Sequence, residues 1–201
     1  MNRSVYNSYL CGMNRVGQYI ESLARKNGYR QSDIARFIGV PRQLLSYVVG
    51  GKRELSLPVV LKLESFFNLP EGELLKMQVE ERILTYKQGL KNKLIERLLK
   101  VNAFWSYADV SAESIPDEEL IERTFVSLDL RDIDLLFELF QRNYIRKVWR
   151  DKMAVQGDYL FNLNVMIALY YFDIKQPEKY LKRVEREHVN KLTRQSLKAL
   201  G

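Results

Sequence analysis

Apolar residues along the first third of the chain recur at intervals of three and four, the period of a helix rather than a strand. Val16, Ile20, Leu23 and Ala24 share one face, and the pattern stops at Asn27-Gly28, a pair suited to the left-handed turn that ends a helix. A second, shorter pattern over residues 31–37 points Ile34, Ala35 and Ile38 inward and ends at Gly39. A third begins around Pro41, whose fixed φ suits a first helical turn, and buries Leu45 and Val48 before Gly50-Gly51 breaks it. Ser56 is positioned to cap a fourth helix, with Pro58 in its first turn and Val59, Val60, Leu63, Phe66 and Phe67 on its apolar side. Pro70-Glu-Gly-Glu-Leu-Leu opens a fifth.

From 78 to 104 the spacing of Val79, Ile83, Tyr86, Leu90, Leu94, Ile95 and Leu98 predicts a longer, highly charged helix that bridges two modules, weakened only by Gly89. Residues 106–115 have the small and polar composition of a loop. Further helices are predicted at 116–126, 131–140, 143–154, 159–172 and 177–197, the first of them opening on Pro116-Asp-Glu-Glu, where the helix dipole favours negative charge. The stretch 159–174 is the most apolar. It is too short, and too interrupted by Asn162 and Asn164, to cross a membrane, and reads as a buried helix. No alternating strand pattern and no internal repeat stands out. The expected class is all-α.

Composition sharpens this picture in three ways. With 201 residues, 46% apolar and 28% charged, the chain should fold, as two modules. A single cysteine, Cys11, and a single histidine, His188, exclude an internal disulfide and a Cys/His metal site, and the first residues lack the apolar core of a signal peptide, so a reducing cytoplasm is expected. The net charge of +7 suggests an anionic partner. Residues 1–100 hold 17 basic and 9 acidic side chains and residues 101–201 hold 15 and 16, so the electrostatic footprint lies in the first half.

Two short helices joined by so tight a turn must cross steeply and leave the start of the second projecting, which is helix-turn-helix geometry. Once Leu45 and Val48 are buried, Arg42, Gln43, Ser46 and Tyr47 lie outward, where an α-helix entering the major groove meets base edges. Residues 15–77 resemble the lambda-repressor-like, Xre-type helix-turn-helix domain. The resemblance is carried by Gln31-Ser-Asp-Ile-Ala, Ile38-Gly-Val, the run from Arg42 through Val49, Gly51-Lys-Arg, the run from Leu61 through Leu69, and Glu73-Leu-Leu. Within that family the Gly-Lys-Arg ending looks most like antitoxin repressors of the HigA type.

The resemblance implies phosphate contacts from Gln31, Lys52 and Arg53, and base reading by Arg42, Gln43 and Tyr47, with Ser46 beside them. Arginine can bond guanine twice and glutamine both edges of adenine, each good pair discriminating by about 1–3 kcal/mol. The sequence departs from the family pattern at Arg30 and Pro41, which replace customary capping residues, and at Leu44, which is placed either to touch a thymine methyl or to pack against the domain. Some Xre-like domains serve only as dimerisation modules; the retained Arg42, Gln43, Lys52 and Arg53 argue for DNA.

In the second half, Phe104-Trp-Ser-Tyr-Ala-Asp-Val, Leu120-Ile-Glu-Arg, Leu128-Asp-Leu-Arg-Asp-Ile-Asp-Leu-Leu-Phe and Tyr144-Ile-Arg-Lys-Val-Trp resemble a small helical domain that accompanies nucleotidyltransferase toxins of the AbiE class. No residue role carries over. Trp105, Tyr107, Phe125, Phe137, Phe140, Tyr144 and Trp149 form an aromatic set, mostly core by expectation. The acidic stretch from Asp109 to Asp134, nine acidic against two basic residues, suits a basic partner or a solvated helix face. Asp132 and Asp134 superficially suggest a magnesium pair, but residues two apart on a helix point about 200° from one another. With no phosphate loop and no nucleophile elbow, catalysis is not expected, and neither a cofactor nor a metal is implied.

The sequence thus predicts a helix-turn-helix domain at 13–77, a linking helix at 78–103 and a helical interaction or oligomerisation domain at 104–201. The expected function is that of a sequence-specific regulator, the antitoxin and autorepressor of a toxin–antitoxin pair. Its expected partners are double-stranded operator DNA, a second copy in a homodimer and a cognate toxin, without a membrane. A phage- or plasmid-type repressor with an oligomerising or ligand-sensing second domain, and a non-DNA-binding adaptor, are the alternatives.

Overall fold

The computed structural model describes residues 14–104 and 114–199. Cys11, the expected domain start at residue 13, the aromatic residues Trp105 and Tyr107, most of the expected loop at 106–115 and Asp109 lie outside the described residues. What is described is helical throughout, with no strand, and divides into one unit ending at Tyr86 and another beginning at Lys87.

In the first unit α1 (Arg15–Lys26), α2 (Gln31–Ile38), α3 (Arg42–Val49) and α4 (Leu57–Phe67) are followed by α5 (Glu73–Lys100). Their inward residues meet in one core of Val16, Ile20, Ala24, Ile34, Ala35, Ile38, Leu45, Val48, Leu55, Val60, Leu63 and Leu74. Each large aliphatic side chain buried there contributes roughly 1.5–3 kcal/mol. Against that, the ion pairs among the described residues of this unit are exposed and worth little. The apolar spacing is therefore what sets the positions of α2 and α3.

Four expectations of local structure need correction. Pro41, with φ −59° and ψ 135°, sits at the N-cap of α3, the cap position the family pattern implies, rather than in the first helical turn, because the chain is still extended there. Ser56 sits at the N-cap of α4 but its hydroxyl makes no capping bond. The expected fifth helix and linking helix are one: nothing between Leu75 and Gln78 breaks the backbone, and α5 continues through Gly89 to Lys100. The segment at 159–174 is buried on one side only, with Tyr159 86% and Tyr170 63% exposed. Its overall apolarity hid that asymmetry.

The second unit takes Leu90, Leu94, Ile95 and Leu98 from α5 and packs them with α6 (Asp117–Ser127), α7 (Leu130–Leu139), α8 (Arg142–Val148), α9 (Phe161–Tyr170) and α10 (Pro177–Ala199). Trp149 is wholly buried, with the Phe172 ring at 5.0 Å and the Tyr180 ring stacked at 6.0 Å. The expected helix at 143–154 changes winding here: residues Trp149–Met153 form a π turn, which upsets the regular pairing of backbone groups. Asn164 meets that need, its Nδ2 donating to the Met153 carbonyl at 3.0 Å and its Oδ1 accepting from the Trp149 indole N–H at 2.8 Å. A residue that interrupts an apolar run in sequence is thus a fully bonded polar centre in the fold.

Candidate nucleic-acid interface

The turn between α2 and α3 consists of Gly39, Val40 and Pro41. Gly39 adopts φ 70° and ψ 42°, a left-handed conformation that strains any residue with a β-carbon. The Val40 N–H then closes α2 onto the Ala35 carbonyl at 2.9 Å. With φ of Pro41 fixed, α3 starts at once in a new direction, held from beneath by Leu45 and Val48.

The far end of α3 is fixed in two further ways. Gly51, at φ 69°, ends the helix: its N–H bonds the Val48 carbonyl at 3.0 Å and the Lys52 N–H bonds the Tyr47 carbonyl at 2.8 Å, the paired closure typical of a glycine stop. From α1, the Asn14 side chain caps its own helix through the Gly17 N–H at 3.0 Å and donates its Nδ2 to the Val49 carbonyl. A β-carbon at Gly17 would lie 2.6 Å from that carbonyl, so glycine is what lets the start of α1 reach the end of α3.

On this scaffold Arg42 and Gln43 occupy the first turn of α3 and Ser46 and Tyr47 the second, all four exposed on the side opposite Leu45 and Val48. Five residues of helix rise about 7.5 Å, which fits within a major groove about 12 Å wide. Gln43 is already oriented: its Nε2 donates to the Tyr47 hydroxyl at 2.7 Å. The second amide hydrogen and Oε1 stay available, the donor and acceptor that adenine N7 and N6 require. Tyr47 therefore serves Gln43 as well as presenting its own ring. Leu44 is half-buried and lines a small hollow with Val48, Leu55 and Val59, so it packs against the connection into α4.

Gln31 begins α2 and is half-buried, while Lys52 and Arg53, just beyond α3, are exposed. Among the described residues Arg42, Lys52 and Arg53 enter no ion pair, whereas the neighbouring Glu54 is engaged by Arg82 at 3.4 Å. The cationic rim of α3 is thus free to meet an anion.

Four supporting residues were not singled out from sequence for these roles. Asn14, placed before an apolar helical pattern, carries a readable N-cap signal; its bond to Val49 does not, because it spans 35 positions. Gly17 gave no signal apart from lying inside a helix. Glu64 is buried beneath α4, where its carboxylate accepts from the Gly72 and Leu74 N–H groups, both at 2.8 Å, and so caps the start of α5. Gln78 clasps the Leu55 backbone by accepting its N–H at 2.7 Å and donating to its carbonyl at 3.1 Å, which steadies the segment just beyond Arg53.

Chemistry of another kind finds less material. Asp132 is buried against Arg97 in an ion pair, which also raises the Arg97 pKa through their hydrogen bond, and Asp134 approaches the Tyr171 hydroxyl at 3.5 Å. The two carboxylates serve different partners. Among the described residues no three His, Cys, Asp or Glu side chains gather as metal ligands, and no helix is long and apolar enough to cross a membrane.

No curated protein and no solved structure matches the chain. Residues 20–74 match the model of the helix-turn-helix family, a span that begins within α1 and ends at the first residues of α5. The first unit therefore carries a helix-turn-helix domain of the Xre and lambda-repressor-like kind, the DNA-binding module of transcription regulators.

Proposed function

We propose that the protein is an operator-binding transcription repressor that works in the cytoplasm as a homodimer and has no catalytic activity of its own. The observation that carries this reading is the outward face of α3, where Arg42, Gln43, Ser46 and Tyr47 stand exposed beside the unpaired Lys52 and Arg53. Arg42 and Gln43 read bases, Tyr47 orients Gln43, and Gln31, Lys52 and Arg53 grip phosphates. A single domain of this size reaches few phosphates, so two copies on a two-fold operator supply the affinity that one lacks.

Within that reading the protein is the antitoxin of a toxin–antitoxin pair. The Gly51-Lys52-Arg53 ending of α3 supports this, and the second unit is assigned to the toxin. The test is a gel shift of the full chain on its own upstream DNA at near-physiological salt, beside Arg42→Ala/Gln43→Ala. A specific shift lost in the variant is expected; no specific shift by the wild type would sink the DNA reading, and an equal shift by both would take base reading away from Arg42 and Gln43. Co-purification with a toxin separates the antitoxin from a repressor without one.

A further inference from the structure

Residues 101–201 are close to neutral only because two opposite blocks of charge cancel. Residues 101–141 hold 2 basic and 10 acidic side chains, a net of −8, and residues 142–201 hold 13 and 6, a net of +7. The acidic block is largely matched by cations of its own unit. Much of the basic block is not, and it gathers on α10. At about 100° per residue, Lys179, Lys182, Arg183, Arg186 and Arg194 fall within one arc of about 120°, while Leu181 and Val184, on the opposite side, are buried in the core. Glu178 and Glu185 lie outside the arc. All five cations are exposed, and among the described residues only Arg183 has an acidic partner, Glu187 at 3.9 Å.

Further cations stand close by. Tyr180 stacks on Trp149 at 6.0 Å and Arg183 lies over the Tyr180 ring at 5.4 Å, while Arg146 of α8 lies over Phe172, which itself packs on Trp149. The Arg150 pKa is raised, first by its hydrogen bond to Asp151 and also by Tyr180 and Glu187, so the π turn brings Arg150 beside α10. The buried rings thus hold part of the cationic surface in place.

We infer that this face of α10 is a second, sequence-independent site for duplex DNA, with its cations lying along a phosphate backbone.

From Lys179 to Arg194 the stripe runs about 22 Å, at about 1.5 Å per residue, and one DNA strand offers roughly six phosphates over that length. Lysine and arginine bind such a rail by charge alone, releasing its counterions whatever the sequence. Tyr180, the ring beside the arc, is already engaged by Trp149 and Arg183, so it leaves no free face to stack an unpaired base, and the double helix suits the site better than a single strand. The helix-turn-helix domain of the first unit makes duplex DNA the polyanion at hand.

This inference goes beyond the operator reading, since it needs no particular operator and no base contact from α3. It is tested by fluorescence anisotropy of the full chain on a labelled random-sequence duplex across a salt series; operator preference is read on other DNA, so the two failures are separate results. The background is Arg42→Ala/Gln43→Ala/Lys52→Ala/Arg53→Ala, which strips the α3 face and should keep measurable duplex binding. Adding Lys179→Gln/Arg186→Gln/Arg194→Gln should flatten the slope of log affinity against log salt by about 2.7 units, at about 0.9 per phosphate contact, so that the affinity lost between about 50 and 200 mM salt shrinks roughly fortyfold. The charge-keeping set Lys179→Arg/Arg186→Lys/Arg194→Lys should stay within about threefold of the background. All three positions are exposed, and an unchanged helical circular dichroism signal confirms that folding is intact. The inference is overturned by a background that no longer binds the duplex, by an unchanged slope in the glutamine set, or by an equal fall in the charge-keeping set. Polyglutamate of matched charge displacing the label as well as unlabelled duplex does would also overturn it, and would make the face a site for an acidic protein.

Discussion

The two units treat their charged residues in opposite ways. In the first, Arg42, Lys52 and Arg53 surround the exposed face of α3 with no acidic partner among the described residues. In the second, the acidic stretch is largely answered from within: Asp117 by Lys91 at 2.8 Å, Glu118 by Lys152 at 3.3 Å, Glu119 by Arg123 at 3.4 Å, Glu122 by the Gln156 amide at 2.8 Å and Asp132 by Arg97. A charge run in sequence therefore has two meanings. Unpaired cations at the end of a projecting helix are available to an anionic partner, whereas acids already matched within the unit, along α6 or from α5 and the π turn, leave less for a basic protein to bind.

The contrast is broken most forcefully in the second unit's core. Trp149→Ala removes the ring on which Phe172 and Tyr180 pack and orphans Asn164; it should cost about 3–5 kcal/mol, seen as earlier denaturant unfolding of that unit. A specific gel shift retained after this change would show that the α3 face works independently of the second unit. Glu64→Ala, in the first unit, leaves the N–H groups of Gly72 and Leu74 without their cap and should lower its stability by about 2 kcal/mol in chemical denaturation. A change below a few tenths of a kcal/mol would mean that water replaces the carboxylate.

Smaller effects sharpen the comparison. Gln43→Ala should lose about 1–3 kcal/mol of discrimination at one base pair and leave other positions unaltered in a competition series of single-base operator variants. Lys52→Ala should weaken all sequences alike and reduce the slope of log affinity against log salt by roughly one unit. Equal loss from both changes on every sequence would contradict their separate roles. At the low end, Arg36→Ala breaks an exposed pair with Asp33 on α2 and should shift stability by less than about 0.5 kcal/mol, as surface pairs do in either unit.

How far these arrangements could be read in advance depends on the range of the forces involved. The turn at Gly39 and the stop at Gly50-Gly51 are local, since only a few neighbouring dihedrals decide them, and both are visible in the residue types. The outward set on α3 follows from burying Leu45 and Val48, because helical periodicity then assigns the opposite side to Arg42, Gln43, Ser46 and Tyr47. The Gln43–Tyr47 bond is also local, four residues apart, but depends on rotamers that spacing alone does not set. Glu64 carries no mark in the apolar spacing of α4, although a carboxylate on the inner side of that helix must find donors. The half-exposure of α9 is not legible in its sequence, because an almost wholly apolar segment has no polar side to mark its solvent face.

By itself, the sequence determined the all-helical class, the order of helices and the face α3 presents, since apolar period, glycine and proline act within a few residues of themselves. Only the tertiary structure decided how those helices are held. The Asn14–Val49 bond, the close approach at Gly17, the Glu64 cap, the Gln78 clasp and the Trp149–Asn164 pair join residues 8 to 35 positions apart. Such partners are chosen by packing in three dimensions, where a buried polar group must be satisfied by whichever chain segment the core brings alongside it.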